Sequence, residues 1–153
     1  MFKKILLLAC ILASGLALGK TEGPEYLDKD LWKWGCSYMH IFHGTTCKGI
    51  ERPKILWTEF RWTTLKGQPN KKMLGMYYHG SDYIKVNVVL LGTEKARSVT
   101  LHEAIHYIVH ENNLDVDRCE NEEIARRAHH AFEKTEYKDD WKEWYRCPVP
   151  SSE

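Results

Sequence analysis

The stretch YIKVNVVLLGTEKARSVTLHEAIHYIVH, Tyr83 to His110, changes its texture part-way along, and that change decides the fold class. Its first part is dense in β-branched residues, as an extended strand is. In its second part Leu101, Ala104, Ile105, Ile108 and Val109 fall on one face at helical spacing, predicting a helix from about Glu94 to Asn112. TEKARSV already holds helix formers and an acid for an opening turn, so the helix starts near Thr93 or Glu94. The alternative start is Thr100, where Thr100 and Glu103 would form a capping box.

Upstream, LDKDLWKWGCSYMHIF places Leu31, Trp34, Tyr38 and Ile41 three or four residues apart, again a helix, weakened at Gly35 by about 1 kcal/mol relative to alanine. KILWTEFRWTTL, the turn KGQPNKK and two extended runs around Gly80-Ser81-Asp82 predict three antiparallel, hairpin-linked strands. Downstream, Ile124, Ala125, Ala128, Ala131 and Phe132 mark a second helix from near Glu120. YKDDWKEWYRC suggests a short further one before Pro148 and Pro150. Strands followed by helices indicate an α+β domain: a small antiparallel sheet of about three strands packed on two helices. At 153 residues the chain fits one domain. Its Trp- and Tyr-rich stretches are expected to fill the core.

The leader MFKKILLLACILASGLALGK has a basic start, a short apolar run and small residues at Ala17-Leu18-Gly19, the pattern of a secretory signal cleaved near Gly19. No membrane span is expected after cleavage. A lipobox at Leu7-Leu8-Ala9-Cys10 is the competing reading, disfavoured because only five apolar residues precede Cys10. The whole chain has 22 basic and 21 acidic residues, and losing Lys3 and Lys4 with the leader tips the balance to one net negative charge. That gives no basic footprint for nucleic acid. Cys36, Cys47, Cys119 and Cys147 then remain, an even number that suggests disulfides in a secreted or periplasmic protein. The sequential pairing needs the least loop closure. A cysteine zinc cluster is disfavoured because no CxxC pair exists.

On a helix, His102 and His106 point the same way from adjacent turns, so two imidazoles can meet one Zn2+ ion at about 2.0–2.1 Å. Glu103, one residue round the cylinder and nearly opposite the core, reaches a metal-bound water without occupying the metal. With Leu101, Ile105 and Ile108 buried, the two histidines fall on a flank that can wall a cleft, and His110 lies further toward solvent. A catalytic zinc site wants a third protein ligand, and the candidates are His110, Glu120, Glu122, Glu123, His129 and His130. His110 is disfavoured, since three ligands stacked along one straight helix surround an ion poorly. Seen from the Ile124-Ala128-Phe132 direction, Glu120 lies closer to the core than Glu122 does.

TLHEAIHYIVH followed by NEEIARRAHHAF resembles the gluzincin metallopeptidases, in which His-Glu-x-x-His is followed on a later helix by a glutamate ligand, often within Asn-Glu-x-x or Glu-x-x-Ala. Asn121-Glu122-Glu123-Ile124-Ala125 fits both forms if Glu122 is that ligand. The strand-then-helix passage is similar to minimal zincins of the ImmA/IrrE-type and SprT-like kinds, and the likeness spans about Tyr83 to Phe132. Many gluzincins carry an aspartate after Glu-x-x-Ala that orients a zinc-bound histidine. This chain has Arg126 there, leaving Asp115 or Asp117 as substitutes. The metzincin pattern is absent, with Val109 and Asn112 where it needs Gly and His. The resemblance implies an exported zinc metallopeptidase acting on a peptide or protein substrate, peptidoglycan peptide included, with Glu103 as general base. Tyr107, His110, His129, His130 and Tyr137 are candidate oxyanion donors, and YIKVNVV is the candidate edge strand for substrate pairing. A Cys119–Cys147 bridge would clamp the tail to the ligand helix. The alternative is a zinc-stabilised, non-catalytic binding or immunity-type module, in which Glu103 has no evident use.

Overall fold

A computed structural model describes residues 25–60 and 73–148, and the structural statements below concern those residues. The expected leader, Cys10 with it, the end of the first predicted strand and the turn KGQPNKK lie outside them. The chain runs β1 (Glu25–Tyr26), α1 (Lys29–His43), β2 (Lys54–Thr58), β3 (Gly75–Tyr77), β4 (Tyr83–Asn87), a 3-10 turn (Val88–Leu90), α2 (Glu94–Glu111), α3 (Arg118–Glu133) and α4 (Trp141–Tyr145). This is the α+β class that strands followed by helices imply.

The sheet differs from the expected antiparallel meander. It is mixed, in the order β1-β2-β4-β3, with β2 parallel to β4 and Ile55 opposite Ile84. Only β3 and β4 form the expected antiparallel hairpin, with Tyr77 opposite Ile84. In its turn the Ser81 hydroxyl reaches the carbonyls of Tyr78 and Tyr83 at 2.7 and 2.8 Å. A turn-rich segment announces that a chain reverses, but not whose edge the next strand joins. Here β4, with Ile84 and Val86 buried, takes the centre and β3 the rim.

Helix α2 is the axis of the core. Leu101, Ala104, Ile105 and Ile108 are buried among Ile84 and Val86 of the sheet, Leu31 and Met39 of α1, and Ile124, Ala125 and Ala128 of α3. Ala131, expected on that last face, is exposed. Gly35 explains itself through packing: a Cβ there would lie 3.2 Å from Leu101 Cδ1, so its absence lets α1 approach α2 closely. Trp32, Trp34 and Trp57 pack against the core and Trp141 is fully buried, the role expected of the aromatic stretches. Cys36–Cys47 and Cys119–Cys147 are bridged, the sequential pairing. Among the described residues no helix is long and apolar enough to cross a membrane.

Candidate metal centre

Helix α2 starts where its composition predicts. Thr93 is the N-cap, its hydroxyl accepting from the Ala96 N–H, and Thr100 lies inside the helix donating to the Ala96 carbonyl. Glu103 is therefore no cap, and its helix presents His102 and His106 from consecutive turns. Their Nε2 atoms are 3.2 Å apart.

Helix α3 supplies the third group. Asp117 caps it by accepting from the N–H groups of Cys119 and Glu120, and the Glu120 carboxylate accepts from the Asp117 N–H at 3.0 Å. That capping box spends Glu120 at the exposed helix start. Two residues on, Glu122 is turned inward and only 6% exposed. Its Oε1 lies 3.6 Å from His102 Nε2 and its Oε2 3.4 Å from His106 Nε2. Ligand atoms placed tetrahedrally at about 2.1 Å from an ion are about 3.4 Å apart. The 3.2 Å between the two Nε2 atoms fits that figure, and the two Glu122 oxygens, Oε1 toward His102 at 3.6 Å and Oε2 toward His106 at 3.4 Å, each approach one nitrogen at similar range. His102, His106 and Glu122 thus form a group that can hold a metal ion.

The other candidates for third ligand are engaged elsewhere. Glu123 pairs with Arg127 and Lys142 at 2.7 and 3.0 Å, His130 Nδ1 meets the Thr135 hydroxyl, and the His110 ring packs against His79. His129 comes nearer, its ring 6.1 Å from that of His102, with Nε2 3.2 Å from Glu133. The group orienting a histidine is neither Asp115, which is exposed, nor Asp117, which caps α3. It is Asn121, whose Oδ1 lies 2.7 Å from His106 Nδ1. A proton donated there leaves the Nε2 lone pair facing Glu122 and His102. The one sequence signal for Asn121 was its place beside Glu122.

Burial pushes the His102 imidazole down to about 4, so it is neutral and ready to bind a cation. Burial acts to raise Glu122, yet the two facing imidazoles outweigh it and hold its carboxyl well below the usual range. For His106 burial acts downward, and the carboxylates of Glu122 and Glu103 overcome it and raise the imidazole. Glu103 is pushed up to about 7, chiefly by burial.

That burial corrects the expectation that Glu103 faces away from packed protein. It is 7% exposed, and β3 lies directly over it: a Cβ on Gly75 would fall 2.7 Å from Glu103 Oε1. A single apolar face implies a single covered side, whereas α2 is covered by α1, α3 and the sheet edge together. Glu103, His102, His106 and Glu122 all line one cleft of about 1190 Å³, walled by β3, α2, α3 and Tyr145 of α4. The expected edge strand YIKVNVV is the interior strand β4; the strand that borders the cleft is β3. Of the expected donors, His129 and His130 line the cleft. The Tyr107 hydroxyl instead donates to the Glu51 carbonyl, and the Tyr137 oxygen accepts from the Trp141 indole. Tyr145 was not anticipated at all.

Comparison of the chain with protein-family models, with curated proteins and with solved structures finds no match in any of the three.

Proposed function

We propose that the chain is an exported zinc-dependent metallopeptidase of the minimal zincin type. The observation that carries this reading is the convergence of two histidines and a glutamate whose ligand atoms lie within 4.8 Å of one another, beside a buried carboxylate that is not one of them. Two imidazoles and one carboxylate suit zinc rather than the hard, oxygen-seeking cations. Zinc held by His102, His106 and Glu122 would supply Lewis-acid chemistry, making a water acidic and polarising a carbonyl.

The chain's own residues account for the remaining needs of peptide hydrolysis. Glu103 accepts the proton of the attacking water on its carboxylate and passes it to the leaving nitrogen. Its carboxylate lines the same cleft as His102, His106 and Glu122, within reach of that water. An extended peptide laid along β3 would pass over Glu103. Two disulfides suit an oxidising compartment and support export.

Metal analysis of the oxidised protein, with hydrolysis of a mixture of quenched fluorescent peptides, tests the reading. The expected result is one zinc per chain and turnover that Glu103→Gln abolishes while zinc stays bound. Absence of stoichiometric zinc sinks the metal reading. Zinc without turnover leaves the non-catalytic zinc module standing in its place, and turnover indifferent to Glu103→Gln overturns Glu103 as the base.

A further inference from the structure

The structure assigns Arg126 as the positioning residue of Glu122, held in place by the disulfide-bound tail; the assignment rests on the metal reading above. Arg126 Nε lies 2.6 Å from Glu122 Oε1 and fixes the rotation of that carboxylate, whose Oε2 faces His106. The guanidinium carbon sits 5.0 Å from the centre of the Trp141 ring. Trp141 is 1% exposed and cannot drift. Its indole N–H donates to the Tyr137 hydroxyl, its neighbour Lys142 pairs with Glu123, and Cys119–Cys147 fastens the chain just past α4 to the first turn of α3. A planar guanidinium against an aromatic face keeps its hydrogen-bonding direction, which a lysine ammonium does not. Many gluzincins orient a histidine ligand from this sequence position with an aspartate; this chain orients the carboxylate ligand with a cation.

Zinc dissociation constants measured by competition with a chromophoric chelator test the assignment. Arg126→Gln is expected to weaken zinc binding roughly 10–100-fold, the range for groups that support a ligand. Arg126→Lys restores only part of the loss. Arg127→Gln, whose partner is Glu123, leaves the affinity unchanged. Trp141→Leu weakens binding too, and the double variant with Arg126→Gln binds no more weakly than Arg126→Gln alone, because both act along one path. Trp141→Phe, which keeps a ring, replaces Trp141→Leu in the cycle if the latter does not fold. Wild-type affinity in Arg126→Gln, full rescue by Arg126→Lys, or additive losses in the double variant would each overturn the assignment while zinc binding itself stands. A wild type that holds no zinc overturns the metal reading, and this assignment with it.

Discussion

Helices α2 and α3 bring the three metal-binding side chains together by different means. On α2 the pairing of His102 with His106 is built into the helix, because residues four apart lie one above the other whatever packs around them. On α3 three glutamates within four residues have three fates. Glu120 closes a capping box, Glu122 faces the histidines, and Glu123 pairs with Arg127 and Lys142. One ligand pair follows from local geometry, and the third ligand follows from how α3 docks on α2. Breaking each side of that contrast has a different expected outcome.

The largest effect is on zinc itself. His106→Ala abolishes stoichiometric binding, and Glu122→Ala, as the loss of a direct ligand, costs more than the roughly 100-fold ceiling for supporting groups. Glu120→Ala and Glu123→Ala bind as wild type does. Calorimetric titration distinguishes the three glutamates; equal losses in all three would mean that they act as a diffuse negative field rather than as one ligand and two bystanders.

The disulfides extend the contrast, since Cys119–Cys147 holds the start of α3 to the chain just past α4, and Cys36–Cys47 ties the middle of α1 to the loop that follows it. By loop length their removal costs about 4 and about 3 kcal/mol of stability respectively. Denaturant unfolding reads those costs. The sharper test is zinc affinity, which falls on replacing Cys119 and Cys147 with serine and holds on replacing Cys36 and Cys47. A fall in both pairs would show that affinity follows general stability.

How much of this was legible in the sequence follows the same line. The extent of α2, its two histidines and the sequential disulfides could be read because each depends on spacing along one chain. Glu122 could not be chosen from the apolar direction of its own helix, which favours Glu120; its motif, not its periodicity, pointed to it. Asn121 stayed hidden for a related reason, since an asparagine beside a ligand has no distinguishing pattern until the helix is docked. The strand order and the strand over Glu103 were missed because both concern which edge a reversing chain joins, a matter of tertiary packing rather than of turn composition.

Glu103 links that cover to pH. In the metal-free protein its folded value is about 7 against an ordinary 4.5. A raised folded value gives stability that is fully present below about pH 4.5 and is lost as pH rises through about 7, a gap of about 3 kcal/mol. Glu122 has the opposite sign: held below its ordinary value, it contributes stability above about pH 4.5 that is lost on acidification. His102, held at about 4 against an ordinary 6.5, gives stability that grows as pH rises from about 4 to 6.5 and offsets the Glu103 decline, so denaturation in chelator is expected to show little net slope between pH 4.5 and 6.5. Glu103→Gln removes the declining contribution and leaves stability rising with pH over that window, while His106, whose folded value is raised, adds a decline only above about pH 6.5. An unchanged slope in Glu103→Gln would mean that the carboxylate ionises freely and is not buried.

Two glycines give the smallest and most local test, because each lies against α2 and the contacts differ in kind. At Gly35 an added Cβ meets the tip of Leu101 at 3.2 Å, a flexible end that can shift by a few tenths of an ångström. The helix gains about 1 kcal/mol of propensity in exchange. Gly35→Ala is accordingly expected to change stability little and to leave both zinc and turnover alone. At Gly75 the added Cβ meets Glu103 Oε1 at 2.7 Å, Glu103 Cγ at 2.8 Å and Val99 Cγ1 at 2.9 Å, with no single tip to move aside. Gly75→Ala then costs about 1–3 kcal/mol, the usual range for overpacking. Because β3 or the carboxylate must move, turnover is lost while zinc, held by His102, His106 and Glu122, stays bound. If Gly75→Ala cleaves peptides as well as wild type, β3 does not set the position of Glu103, and the side of α2 that carries the base is more open than its burial implies.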